Sequence, residues 1–234
     1  PIFHKGKLVG FSGSIAHLPD IGGGGWSSDG RELFEEGIRI TPMKFLKEGE
    51  PNQDVFDFIT ANVRVPSQVI GDIYAQVTAQ QVCAERLREF LDDAELADLS
   101  GLSSALLERA DIAMRKAIEV VPDGTYRSVL DADGFDEDET HIECAVTVDG
   151  STLHIDYDGT SKQIDRGLNS VMKYTYAYST YPVKCALDPE TPRNEGSYRS
   201  VTVSAPEGSI LNPTYPAPVN ARQLTGHLLA AAIY

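Results

Sequence analysis

The sequence predicts an α+β fold with an antiparallel meander and a long helical hairpin, and two observations lead to it. Between residues 52 and 121, apolar side chains recur every three or four positions, which is typical of helices that bury one face. From Tyr126 to Tyr157 the period changes to two, which is typical of strands with one buried face. Three segments follow: strands and a loop over 1–50, helices over 51–123, and a meander with a C-terminal α/β part over 124–234.

The first segment begins with strand-like pieces on either side of Lys5-Gly6, so residues 2–11 are expected to form a hairpin. Its second strand leads into the loop around His17. Further on, residues 35–42 show short alternation that ends at Pro42, and they predict another strand.

The helical segment divides at its proline and glycine residues. A first helix over 52–63 ends before Pro66, a second is capped by Ser67, and a third begins at Ser100 or Ser103 and ends at Pro122. Polar Gln80 and Gln81 interrupt the apolar seam of the second helix. The second and third helices are expected to pair.

The last segment reads as strands joined by short turns, among them a tight turn at Asp149-Gly150. The acidic residues 131–139 between two strands are interpreted as a solvated turn, because their spacing does not match a calcium-binding loop. A further strand is expected over 198–205, and a helix begins near Arg222.

Composition excludes several functional classes. With 35 acidic and 20 basic residues the formal charge is −15, which argues against a basic face for nucleic acid or anionic lipid. No apolar run approaches the roughly 20 residues that span a bilayer. Three cysteines without a C-x-x-C pair indicate free, buried thiols. We expect a cytoplasmic protein.

Both ends look like cuts through a longer protein. The chain starts at Pro1 without a signal-peptide pattern, and the apolar residues 227–234 have no helix stop signal. A fold truncated at both ends would leave apolar surface uncovered, so self-association into a homo-oligomer is expected.

The stretch 14–26 has the composition of a site. His17 and Asp20 lie three residues apart and precede the four glycines at 22–25. Imidazole and carboxylate both bind Zn, Mn or Fe, and glycines let a substrate approach the backbone. Two ligands do not complete a site, however, so spacing alone favours a plain surface loop.

Several longer stretches resemble the hydantoinase B/oxoprolinase family, which includes N-methylhydantoinase B subunits, 5-oxoprolinase C-terminal halves and acetone carboxylase alpha subunits. They cover nearly the whole chain, at residues 4–11, 16–23, 36–42, 62–76, 159–171 and 184–227. The last of these stretches, KCALDPETPRNEGSYRSVTVSAPEGSILNPTYPAPVNARQLTGH, is the most specific.

The resemblance implies a two-part enzyme in which an ATP-binding A component phosphorylates a small-molecule substrate and the B component completes the reaction. This chain is of the B type. His17 would be a ligand of a divalent metal (Zn, Mn or Fe), with Asp20 either a second ligand or the carboxylate that orients His17. Partner ligands are expected just before Pro1. Many relatives have a second histidine where this chain has Leu18, and a histidine where it has Gln223.

The same resemblance places further residues near substrate. Gly22, Gly23 and Gly24 would form the pocket wall. Asn169 and Arg222 lie inside matching stretches and would contact substrate during catalysis. Asp20 would also take part in catalysis. A turn amide and a surface guanidinium are the plain alternatives for Asn169 and Arg222.

Three functions stay open. The first is hydrolysis of cyclic amides such as hydantoins or 5-oxoproline, the second is ATP-dependent ketone carboxylation, and the third is a non-catalytic scaffold for the ATPase component. No Gly-x-x-x-x-Gly-Lys-Ser/Thr phosphate loop occurs in the sequence, so ATP would enter through the A component.

Overall fold

The computed structural model describes residues 1–135 and 138–234, and the predicted α+β class is confirmed. The chain divides into two compact units. Unit 1 contains Pro1–Gly25 and Gly37–Ser104, and unit 2 contains Trp26–Glu36 and Ala105–Tyr234. These boundaries differ from those of the three segments read from the sequence, because residues 26–36 join the C-terminal part of the chain.

Unit 1 is built on two helices and two small hairpins. Strands β1 (Ile2–His4) and β2 (Lys7–Gly10) pair antiparallel as predicted, and β3 (Leu46–Lys47) pairs with β4 (Glu50–Pro51). Helices α1 (Gln53–Asn62) and α2 (Pro66–Asp93) follow. Their buried residues form one core: Val55, Phe56, Ile59, Val69 and Ile73.

Two details of this part differ from the sequence prediction. Helix α2 begins with Pro66 at its first turn, where the missing N–H costs no hydrogen bond, and Ser67 does not cap it. The strand predicted over 35–42 is absent: Leu33–Glu35 form a 3₁₀ turn, and Gly37 has φ +130°. That conformation bends the chain, and the Ile38 N–H donates to the Ile21 carbonyl of the glycine loop instead of a strand (2.8 Å).

Unit 2 contains a four-stranded sheet in the order β5-β6-β7-β8. The strands are β5 (Gly124–Phe135), β6 (Asp138–Asp149), β7 (Thr152–Asp156) and β8 (Val201–Ser204), and the helices are α3 (Ser100–Ile118), whose first residues lie in unit 1, α4 (Met172–Leu187) and α5 (Arg222–Ile233). The meander is antiparallel through β7, but β8 pairs parallel to β7. A parallel pair needs a long crossover, and α4 lies within that connection.

The core of unit 2 lies between the sheet and its helices. Its buried residues include Met114, Ile118, Ile142, Val148, Leu153, Ile155, Tyr157, Val183, Leu211, Leu229 and Ala232. Val69 and Ile73 of α2 belong to the core of unit 1, and Met114 and Ile118 of α3 belong to the core of the sheet. Leu229 and Ala232 of the apolar tail are also buried in the core of the sheet, and self-association stays a prediction.

The predictions for the acidic segment, the cysteines and membrane-spanning helices have different outcomes. The acidic segment 131–139 is strand up to Phe135, and its residues 136 and 137 lie outside the described part of the chain. Of the three thiols, Cys144 is buried as predicted, whereas Cys83 and Cys185 are exposed. Each described helix is too short or too polar to span a bilayer.

Candidate functional site

The segment before the glycines presents its residues alternately to two sides. Every second side chain lines a groove of about 990 Å³ that α2 also borders: Ser12, Ser14, Ala16 and Leu18. Ile15 and His17, the residues between them, are exposed. Leu18 also packs against the core of unit 1. The backbone around His17 is therefore held on the side of the groove, and the exposed His17 is not among the residues that line it.

Asp20 is bound on both carboxylate oxygens by protein donors. Its Oδ1 accepts the Gly22 N–H (3.0 Å) and Arg64 Nη1 (2.8 Å), and its Oδ2 accepts the backbone N–H of Arg64. The Asp20 side chain is only 9% exposed, whereas that of Arg64 is 63% exposed. The hydrogen bond from the Arg64 backbone, more than the charge of its guanidinium, lowers the pKa of Asp20 below its ordinary value.

The glycine loop is shaped by close packing on the end of α1. Gly22 is buried with φ +77°, and a Cβ at this position would lie 2.8 Å from the Asn62 carbonyl oxygen. Gly23 also has a positive φ, and its carbonyl accepts a hydrogen bond from Arg64 Nη2. Gly23 and Gly24 are exposed. Gly22 is therefore needed for packing, and the pocket wall predicted for residues 22–24 stays a prediction.

The described residues do not make a complete metal site. Across 1–135 and 138–234, His, Cys, Asp and Glu side chains form no group of three that could hold an ion. His17 is exposed and has the chemistry of a ligand, but the oxygens of Asp20 are already bound by Arg64 and Gly22. Asp20 fits the anchoring role better than that of a ligand.

Asn169 belongs to unit 2 and is fully buried. Its Oδ1 accepts the Ile164 N–H (3.0 Å), and its Nδ2 donates to the carbonyls of Ile164 (2.7 Å), Arg166 (2.9 Å) and Pro218 (2.9 Å). These bonds tie the turn before α4 to the connector before α5. The amide is fully engaged with backbone, so Asn169 organises this turn, and its contact with substrate stays a prediction.

Arg222 is the first residue of α5 and lies on an aromatic surface. Its guanidinium carbon is 5.2 Å from the centre of the Tyr174 ring, and Nη1 donates to the Val219 carbonyl (3.2 Å). Tyr174 stacks on Tyr178 with ring centres 4.3 Å apart. Burial raises the pKa of Tyr174 to about 12.

Glu36 joins this part of unit 2. One of its oxygens accepts the backbone N–H groups of Val219 and Asn220, which holds the chain just before Arg222. Burial raises the pKa of Glu36, although these N–H groups and the nearby charge of Arg222 act in the opposite direction.

Sequence reasoning assigned no role to Arg64. Arg64 lies in a stretch that carries the family resemblance, and that was the signal available. His17, Asp20 and the glycines belong to unit 1, whereas Asn169 and Arg222 belong to unit 2. The predicted site residues therefore form two groups, each with its own backbone anchors.

Comparison with known proteins defines the class: the profile of the hydantoinase B/oxoprolinase family matches residues 1–234. The chain belongs to this family. It is 31% identical to the caprolactamase subunit beta of Pseudomonas jessenii over all of the chain and 41% of that protein. It is 24% identical to the 5-oxoprolinase of Dictyostelium discoideum, over 99% of the chain and 19% of that protein.

Solved structures agree with the fold. The crystal structure of the ATP-dependent caprolactamase from Pseudomonas jessenii superposes with a TM-score of 0.83 at 30% identity, over 93% of this chain and 38% of that one. A nucleotide-free acetone carboxylase superposes with a TM-score of 0.85 over all of this chain and 33% of its own, and at 20% identity it supports the fold alone. The chain thus spans about two fifths of its caprolactamase relative.

Proposed function

We propose that this chain is part of the B-type catalytic subunit of an ATP-dependent amidohydrolase that opens cyclic amides such as hydantoins or 5-oxoproline. The observation that supports it most is the family match over residues 1–234. The caprolactamase relative favours amide chemistry, because caprolactam is itself a cyclic amide.

In this proposal the exposed face of the His17 loop is the side that meets substrate. His17 lies outward, Gly23 and Gly24 leave the backbone accessible, and Asp20 and Arg64 hold the loop in place. A divalent metal (Zn, Mn or Fe) on His17 remains a prediction, and its other ligands would come from outside this chain. Arg222 remains a candidate for substrate contact in unit 2.

ATP is proposed to act through an A-type ATP-binding partner. An unstrained amide needs an activated oxygen before its ring opens, and phosphorylation supplies that activation. The sequence has no phosphate loop, and a formal charge of −15 repels ATP at moderate salt. The complete B subunit alone should not hydrolyse ATP.

The test uses the complete B subunit with and without its A component, and a panel of hydantoin, 5-oxoproline, caprolactam, and acetone with bicarbonate. We expect ATP hydrolysis only with both components and a cyclic amide, and formation of the ring-opened acid. Phosphate release by the B subunit free of A would refute the assignment of ATP to the partner. Turnover of acetone with bicarbonate, but of no cyclic amide, would instead favour ketone carboxylation, the second candidate.

The scaffold alternative is tested by His17→Ala in the same complex. If the subunit is catalytic, this variant should lose product formation and bound metal while still binding the A component. Equal metal content and turnover in the variant would support the scaffold and end the ligand assignment of His17.

A further inference from the structure

We infer that Arg64 is a positioning residue for the site loop, defined as residues 17–25. It fixes the loop to the junction between α1 and α2, and it acts on the reaction through the loop rather than by touching substrate. This inference rests on the proposed function for its role in turnover, but the anchoring itself can be measured in the absence of any substrate.

Three bonds from one residue carry the argument. The backbone N–H of Arg64 donates to Asp20 Oδ2, its Nη1 donates to Asp20 Oδ1 (2.8 Å), and its Nη2 donates to the Gly23 carbonyl. Asp20 in turn accepts the Gly22 N–H (3.0 Å). Arg64 therefore bridges the carboxylate of Asp20 and the carbonyl of Gly23, three residues later.

The residue type matters because the two acceptors are separate. A guanidinium is a planar fork whose two terminal nitrogens can each hold a different oxygen, whereas a lysine ammonium is a compact charge on a flexible stem. The carboxylate of Asp20 alone would accept either cation. The additional bond to the Gly23 carbonyl favours arginine.

Contacts other than the three bonds of Arg64 also fix the backbone around it. Arg64 lies between Asn62, the last residue of α1, and Pro66, the first of α2. Gly22 packs against the Asn62 carbonyl, and the Ile38 N–H donates to the Ile21 carbonyl (2.8 Å). An exposed ion pair usually contributes little because both side chains must be ordered, but here backbone donors share the same carboxylate. The bonds of Arg64 therefore add to contacts that already hold the loop at neighbouring positions.

The experiment compares Arg64→Ala and Arg64→Lys with Arg86→Ala. Arg86 is a matched control, because it forms an exposed ion pair with Glu89 (2.7 Å) on α2 of the same unit. Amide hydrogen exchange of peptides covering residues 17–25 is measured in the complete B subunit without substrate. We expect exchange about tenfold faster in Arg64→Ala, intermediate exchange in Arg64→Lys, and unchanged exchange in Arg86→Ala.

Turnover is then measured with the A component and a cyclic amide. A positioning role predicts that Arg64→Ala lowers kcat by about tenfold or more with little change in KM, and that Arg64→Lys restores part of kcat. Exchange in Arg64→Ala equal to that in Arg86→Ala would overturn the anchoring. A faster-exchanging loop with wild-type kcat would overturn the role in the reaction. If the wild-type complex turns over no cyclic amide, the proposed function fails, and the exchange experiment still decides the anchoring.

Discussion

Gly22→Ala tests whether the site loop is held by packing against the end of α1. Gly22 has φ +77°, and an added Cβ would lie 2.8 Å from the Asn62 carbonyl oxygen. Such a distance is far below van der Waals contact, and the obstacle is helix backbone rather than a flexible side chain. The loop or the helix end must therefore move.

The expected cost has two parts. Placing an L-residue in the left-handed region costs roughly 1–2 kcal/mol, and overpacking against a fixed neighbour costs typically 1–3 kcal/mol more. Gly49→Ala is the matched control in the same unit, because Gly49 has φ +91° but an added Cβ would meet nothing within 4 Å. Gly49→Ala therefore has the free-energy cost of the left-handed backbone conformation without the steric clash.

Thermal and urea unfolding of both variants give the comparison. We expect Gly22→Ala to lose about 2 kcal/mol more free energy of unfolding than Gly49→Ala, or roughly 4–8 °C in Tm for a chain of this size. Equal losses in the two variants would show that Asn62 yields without cost, and the argument that packing fixes the loop would be wrong.

Three further outcomes are expected in unit 2. Lys184→Met should lose about 3 kcal/mol or more of unfolding free energy, because it leaves the carboxylate of Asp188 buried without its ion-pair partner (2.7 Å), and Lys184→Met/Asp188→Leu should recover most of it in urea unfolding. Despite burial, hydrogen bonds from Lys184 and Thr191 lower the pKa of Asp188, so its stabilisation is present above the usual value of 3.8 and lost as pH falls through the lower folded value; Asp188→Asn should flatten the acid limb of a stability–pH curve. Burial raises the pKa of Cys144 to about 11, so mass spectrometry should find iodoacetamide on Cys83 and Cys185 well before Cys144 at pH 8.

The fold was readable from sequence where one period dominates a long segment. Helices α1 to α3 lie close to their predicted ranges, and strands β5 to β7 fall within the segment that predicted strands. The parallel strand β8 could not be placed in this way, because its pairing with β7 depends on where α4 returns the chain. The predicted strand over 35–42 failed because Gly37 takes a backbone conformation that the alternation of its neighbours does not reveal.

The residues of the site were easier to find than their roles. His17 and Asp20 were singled out by residue type and spacing, and the structure leaves His17 exposed while Arg64 occupies the oxygens of Asp20. Asp20 and Arg64 are far apart in the sequence, so a pattern confined to the loop of Asp20 contains no information about Arg64. Asp20 was therefore interpreted as a ligand or as the carboxylate that orients His17, and its bonds to Arg64 could not be foreseen.

The role of Asn169 was likewise difficult to predict from the sequence. A substrate-contacting amide and a turn-organising amide are the same residue in a sequence motif, and they differ only in what their polar atoms meet. Here the oxygen meets one N–H and the NH₂ group meets three carbonyls, one of them from Pro218, 49 residues along the chain. Asn169→Asp would turn a donor group into an anion facing those carbonyls at nearly constant size. The cost of about 1–3 kcal/mol for each unsatisfied buried group makes a loss of several kcal/mol the expected result in urea unfolding. Wild-type stability with lost turnover would return Asn169 to the substrate site.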